Sequence, residues 1–167
     1  MSNTRVSLYA DLLEGARKHT LQVAEGVPET HRFKQLQEGK ATPIWLLGHM
    51  ANTVNTLVLV YTLEEGSVLS REHSVLFAPD FAGGKTPSTN PDEYPGWDEV
   101  ITTYNNVFDQ TIAGIRKMDD SVLSDPLPGK LPDQLRDFFS SIDTTLSIMI
   151  QHDAYHRGQI GMMAKLD

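Results

Sequence analysis

Residues 41–63 read ATPIWLLGHMANTVNTLVLVYTL, twenty-three positions without an Asp, Glu, Lys or Arg. A run this long and apolar can span a bilayer, so its reading decides between a membrane segment and a helix buried among other helices. His49, Asn52 and Asn55 decide for the second, because such groups are costly in hydrocarbon and are easily satisfied by neighbours inside a bundle. The stretch is read as a core helix over 43–63. Thr42 is its N-cap, Pro43 suits its first turn, and Gly66 stops it.

Such a helix needs partners, and three other segments have helical period. Residues 6–24 place Leu8, Leu12, Ala16 and Val23 between charged positions and end near Gly26 and Pro28. Residues 96–118 repeat Val100, Tyr104, Val107, Phe108, Thr111 and Ile115 at helical spacing. Residues 132–165 carry a long stripe of Leu135, Phe138, Ile142, Thr145, Met149, His152, His156, Ile160 and Met163. Between them, 66–94 holds Pro79, Gly83, Gly84, Pro87 and Pro91 without a sustained period and is read as a long connection. Its GGKT, 83–86, is no phosphate loop: Pro79 stands where that motif needs Gly, and no strand precedes it. No strand-like alternation or repeat occurs, so the expected class is all-α, a four-helix bundle in one domain over 1–167.

Composition narrows the function. The chain of 167 residues has 14 Lys and Arg against 22 Asp and Glu, a net charge of −8. No basic stripe offers itself to phosphates, which argues against nucleic acid as a partner. There is no Cys, so disulfides, thiolate ligands and a cysteine nucleophile are excluded, and His, Asp and Glu remain as metal ligands. The N-terminal MSNTRVSLYADLLEGARKHT lacks the apolar run of a secretory signal, so a cytoplasmic location is expected.

The stripe of the last helix contains HDAYHRGQI, 152–160, with His152 and His156 one turn apart on one face. Two rings so placed can aim at one cation, yet they equally describe a hydrogen-bonded, partly buried pair; a metal needs a third ligand. His49, flanked by Leu46, Leu47, Met50 and Val54, is the candidate, since a buried ring requires a partner. At 1.5 Å per residue it lies roughly 9 Å beyond Pro43, and His156 roughly 36 Å beyond Pro132, so parallel helices would separate them by roughly 27 Å. Antiparallel packing brings them level. The second and third helices then run the same way, which the 66–94 connection is long enough to permit. An up, down, down, up arrangement with a long crossover between helices two and three follows.

PIWLLGHMANTV together with HDAYHRGQIGMM resembles the DinB/YfiT-like superfamily of metalloenzymes, which is unrelated to the polymerase sharing the DinB name. The likeness covers most of the chain in the order and spacing of four helices, and its specific part is His49 with the terminal H-x-x-x-H-R-G-Q-I. It implies a four-helix bundle with a divalent metal held by His49, His152 and His156, frequent homodimers, and thiol-dependent transferase or isomerase chemistry in characterised relatives.

Three neutral imidazoles leave open positions on a metal, the arrangement of catalytic rather than structural zinc. Zinc is favoured on ligand type, with nickel or iron(II) also suited. The nucleophile is then metal-bound water or a thiol that arrives with the small-molecule substrate, and no side-chain catalytic residue is assigned. Asp153, Asn52 and Thr53 are candidates to orient the ligands; an ion pair from Asp153 to Arg157 is an equal reading. Gln159 is expected to face solvent, His19, His31 and His73 to be solvated, and Gly158 and Gly161 to mark close helix contact or a fraying end. Trp45, Tyr61, Trp97 and Tyr104 are pocket wall or plain core. The expected function is a metal-dependent enzyme acting on small molecules, of transferase, isomerase or hydrolase type. The alternative is a non-catalytic metal-binding module or a stress-related dimeric binding module.

Overall fold

Thr4 opens the first helix by accepting the Ser7 N–H on its hydroxyl, and α1 runs from Arg5 to Glu25 in the computed structural model, which describes residues 4–166. Its buried face is Val6, Ala10, Leu13, Ala16, Thr20 and Ala24. This corrects the expected stripe: Leu8 and Leu12 are 56% and 45% exposed. Small inward residues let the neighbouring helices approach closely, and close approach outweighs the larger apolar area that two leucines offer.

The core helix α2 spans Pro43–Val54 and buries every residue except Thr53. Thr42 caps it, accepting the Trp45 N–H at 3.4 Å. Beyond Val54 the expected regular helix widens into a π-helical turn, Asn55–Val60. Thr62 satisfies the Leu57 carbonyl with its hydroxyl (2.8 Å), and the buried Asn55 side chain donates to the Ser67 hydroxyl and accepts the Val68 N–H. The chain leaves the helix at Glu64, which holds a left-handed φ of 52°, ahead of the Gly66 expected to stop it.

The connection over 66–94 is more structured than its lack of period suggests. It contains α3 (Arg71–Phe77), capped by Ser70, and two 3-10 turns at Asp80–Ala82 and Pro91–Glu93. Seven residues fall below the window in which helical period can be read. Phe77 packs flat against Gly48 of α2, where an added Cβ would stand 2.3 Å from the ring. Gly48→Ala is therefore expected to destabilise the protein by about 1–3 kcal/mol through overpacking. Urea denaturation measures it, and an unchanged midpoint would show that α3 yields without cost.

Helix α4 (Trp97–Ile115) buries the six residues expected of it. The expected single helix from 132 is instead two: a short α5 (Asp133–Arg136) and α6 (Ile142–Met163). Ser141, extended at φ −150° and ψ 165°, restarts the helix by capping Thr144. Serine side chains compete with the helical backbone in this way, and the preceding break turns Phe139 inward and leaves Phe138 60% exposed.

Helix α1 packs on α4 and α6, and α2 packs on the same two from the other side, with α3 laid over α2. Tyr9 meets Ser147 at 2.9 Å and Thr20 meets Asp153 at 2.8 Å, so α1 and α6 run alongside with like ends together. Arg116 reaches Asp11 and Glu14, and Arg17 pairs with Asp109, which places opposite ends of α1 and α4 together. All regular elements of the described residues are helical, and none of these helices is long and apolar enough to cross a membrane.

Candidate metal centre

Helical period alone brings His152 and His156 to one side of α6, with ring centroids 4.4 Å apart. His49 reaches them from the second turn of α2, its ring stacked on that of Trp45 at 4.7 Å and 11°. The Nε2 atoms of His49 and His156 each lie 3.1 Å from Nε2 of His152. One nitrogen from each ring falls within 4.8 Å of the others.

The outer nitrogens decide the protonation. His49 Nδ1 lies 3.1 Å from the Phe77 carbonyl, and His156 Nδ1 lies 2.6 Å from Gln159 Oε1. Both partners accept, so both Nδ1 atoms donate, and in the neutral rings both Nε2 atoms present lone pairs to His152. His152 Nε2 has at most one proton to share between them. At least one of the two 3.1 Å contacts then faces lone pair to lone pair, an arrangement that a cation relieves. For zinc–nitrogen bonds of about 2.0–2.1 Å in tetrahedral geometry, ligand nitrogens stand about 3.3 Å apart. The spacing and donor set fit a divalent metal.

Burial keeps the rings neutral, as ligation requires. Desolvation, reinforced by His156, lowers His49 to about 4. Desolvation and the two neighbouring rings lower His152 to about 3. His156 is also lowered by desolvation, with the Gln159 hydrogen bond and the Asp153 charge opposing.

Asp153 belongs to a different structure. Only 1% exposed, its carboxylate accepts from Thr20 (2.8 Å), Tyr104 (2.7 Å) and Arg157 (2.9 Å), joining α1, α4 and α6. Its hydrogen bonds go to none of the three imidazoles, so the ion-pair reading describes it and its influence on His156 is through charge alone. Tyr104 and Trp97 are core. Gln159, expected in solvent, instead orients His156; its position three residues along the same helix was the available signal. His19 is exposed, but His73 is half-buried against Phe77 (4.6 Å) and held down to about 4 by desolvation, contrary to expectation, and His31 is likewise partly buried. Gly158 has open space around it and Gly161 makes an ordinary contact with Val23, so neither marks a forced approach.

A cavity of about 980 Å³ opens beside His49 and His152. Asn52, Thr53, Thr56 and Tyr61 contribute to its wall from α2 and its π-helical continuation, which turns Thr56 and Leu57 toward the space. Asn52 is 7% exposed and its Oδ1 has no hydrogen-bond partner.

Gln159→Leu is expected to weaken metal binding by about 10- to 100-fold by freeing the His156 ring. Fold stability should barely move, since Gln159 is only half-buried. Competition with a chromogenic chelator reads the affinity; undiminished zinc affinity would show that the ring needs no such tether.

The chain is all-helical among the described residues, and three imidazoles from two helices form a cluster able to hold a metal ion, two of them, His49 and His152, at the wall of a large cavity. The sequence pattern of the DinB superfamily matches residues 12–160, and the chain belongs to that superfamily. No curated protein matches it.

Proposed function

We propose that this protein is a metal-dependent enzyme acting on small molecules, with His49, His152 and His156 as the ligands of one divalent cation, zinc before nickel or iron(II). The observation that carries the reading is the convergence of three Nε2 atoms, two of them made lone-pair donors by the Phe77 carbonyl and Gln159. The scaffold is a single-domain four-helix bundle of up, down, down, up course, supported by the end-to-end pairings of α1 with α4 and α6 and by the meeting of His49 with His152.

When bound, the cation supplies Lewis acidity to a substrate carbonyl or thiol. The chain does the rest. Trp45 holds the His49 ring by stacking, the cavity walls withdraw a substrate from water, and Asn52 offers an unpaired amide one turn from His49. Lacking Cys, the protein takes any thiol from outside, which favours a transferase or isomerase using a low-molecular-weight thiol, with hydrolysis as the other chemistry of the same site. A cytoplasmic homodimer is part of the proposal.

The test is a screen of metal-loaded, tag-free protein against electrophiles with low-molecular-weight thiols, beside His156→Ala. A rate abolished in the variant supports catalysis; equal rates remove it and leave a metal-binding module.

A further inference from the structure

The cavity has a polarity that the chain as a whole does not. Among the described residues no Asp or Glu lines it, and the one Lys or Arg on its wall is Arg71, at the start of α3. Arg71 makes no ion pair among the described residues, whereas Arg5, Arg17, Arg116, Arg136 and Arg157 each do. Arg71 is exposed and its charge also acts on the adjacent Glu72, which does not line the cavity, so within this space the guanidinium is the group able to hold an anion. Much of the remaining wall is apolar, with Leu57, Val75, Phe138, Ile148 and Met149 among its members. Phe81 and Phe138 lie 76% and 60% exposed at this cavity, apolar surface that water covers poorly and a ligand covers well. A third feature lies beside the histidines. The buried Asn52 amide, with Oδ1 unpartnered, waits for a hydrogen-bond donor from something that enters.

We propose that the cavity binds an amphiphilic carboxylate. Its anionic group is held by Arg71, an apolar body of roughly eight to twelve carbons fills the middle, and a hydrogen-bonding head meets Asn52 next to the histidine cluster. The assignment rests on the reading of this cavity as the substrate chamber of the metal centre and names the class of molecule it admits. A cationic amphiphile finds no partner there, and a neutral one leaves Arg71 without a role. With the anion at Arg71, the opposite end of the molecule is the part delivered to the histidines.

Calorimetric titration below micellar concentration tests this, using decanoate, 10-hydroxydecanoate and decyltrimethylammonium against wild type, Arg71→Gln and Asn52→Leu. Each protein is used both zinc-loaded and chelated, and zinc uptake is measured on the same samples. Wild type is expected to bind decanoate in both forms, at least about tenfold more tightly than decyltrimethylammonium, a discrimination that Arg71→Gln abolishes. 10-Hydroxydecanoate should bind more tightly than decanoate to wild type and equally in Asn52→Leu, or in Asn52→Ser should the leucine variant fail to melt cooperatively. No decanoate binding at millimolar concentration, equal affinity for anion and cation, or discrimination that survives Arg71→Gln overturns the proposal. So does binding confined to the zinc-loaded form, which would place the carboxylate on the metal. A hydroxyl preference that persists without the Asn52 amide removes the head-group assignment. Full zinc uptake with no decanoate binding sinks this inference alone, while decanoate binding without zinc uptake sinks the metal reading alone.

Discussion

Zinc at a hundredfold excess over its dissociation constant is expected to raise the melting temperature of the tag-free protein by about 5–11 °C, and to leave His152→Ala unmoved. A ligand at that concentration stabilises the native state by about 2.7 kcal/mol, and each kcal/mol is worth about 2–4 °C in a chain of this size. His152 is the informative position because its Nε2 contacts both other rings, so its removal takes away the centre of the cluster. Nickel should act similarly, and magnesium should do little, since it prefers oxygen ligands. Elemental analysis provides the independent check: one equivalent of zinc in wild type and less than about a tenth in the variant. Wild type that gains neither metal nor thermal stability would leave a buried histidine trio without a cation, and the proposed function would fall with it.

Asp153→Ala should cost about 3–5 kcal/mol, the effect of breaking a buried charge network by removing one partner. Alanine leaves the Tyr104 and Thr20 hydroxyls without their acceptor and Arg157, only 25% exposed, without its counter-charge. Against a total stability of about 5–15 kcal/mol, that loss decides whether α1, α4 and α6 stay together. Replacing the pair jointly, Asp153→Leu with Arg157→Met, should recover much of it, because an apolar substitute of similar size removes both charges at once. Zinc binding separates structure from ligand orientation: Asp153→Asn should still take up a full equivalent. Denaturation giving less than 1 kcal/mol for Asp153→Ala, or loss of zinc in Asp153→Asn, would move this carboxylate from the frame of the bundle into the metal centre.

Much of this was legible because it is local or periodic. The i, i+4 spacing of His152 and His156 fixes a shared face whatever surrounds the helix, and polar residues inside an apolar run imply burial among helices. The likeness to the DinB superfamily, carried by His49 and the terminal histidine motif, is matched by the family pattern over 12–160. Antiparallel approach of the two histidine segments was expected from reach counted from a helix start at 132; the break before Ile142 puts His156 about 21 Å along α6 instead, which shortens the offset that parallel helices would leave.

What the chain order alone determined, then, is helicity, the identity of the three imidazoles that meet, and the absence of any thiol to compete with them, since these follow from residue types at fixed spacing. Only the folded arrangement decided which face of α1 turns inward, that the Phe77 carbonyl fixes the proton on His49 from 28 positions away, that Asp153 serves three helices, and that no carboxylate among the described residues lines the cavity. These depend on how closely elements distant in sequence pack. A pattern of apolar residues constrains such packing in phase but not in distance, and hydrogen bonds are decided by distance.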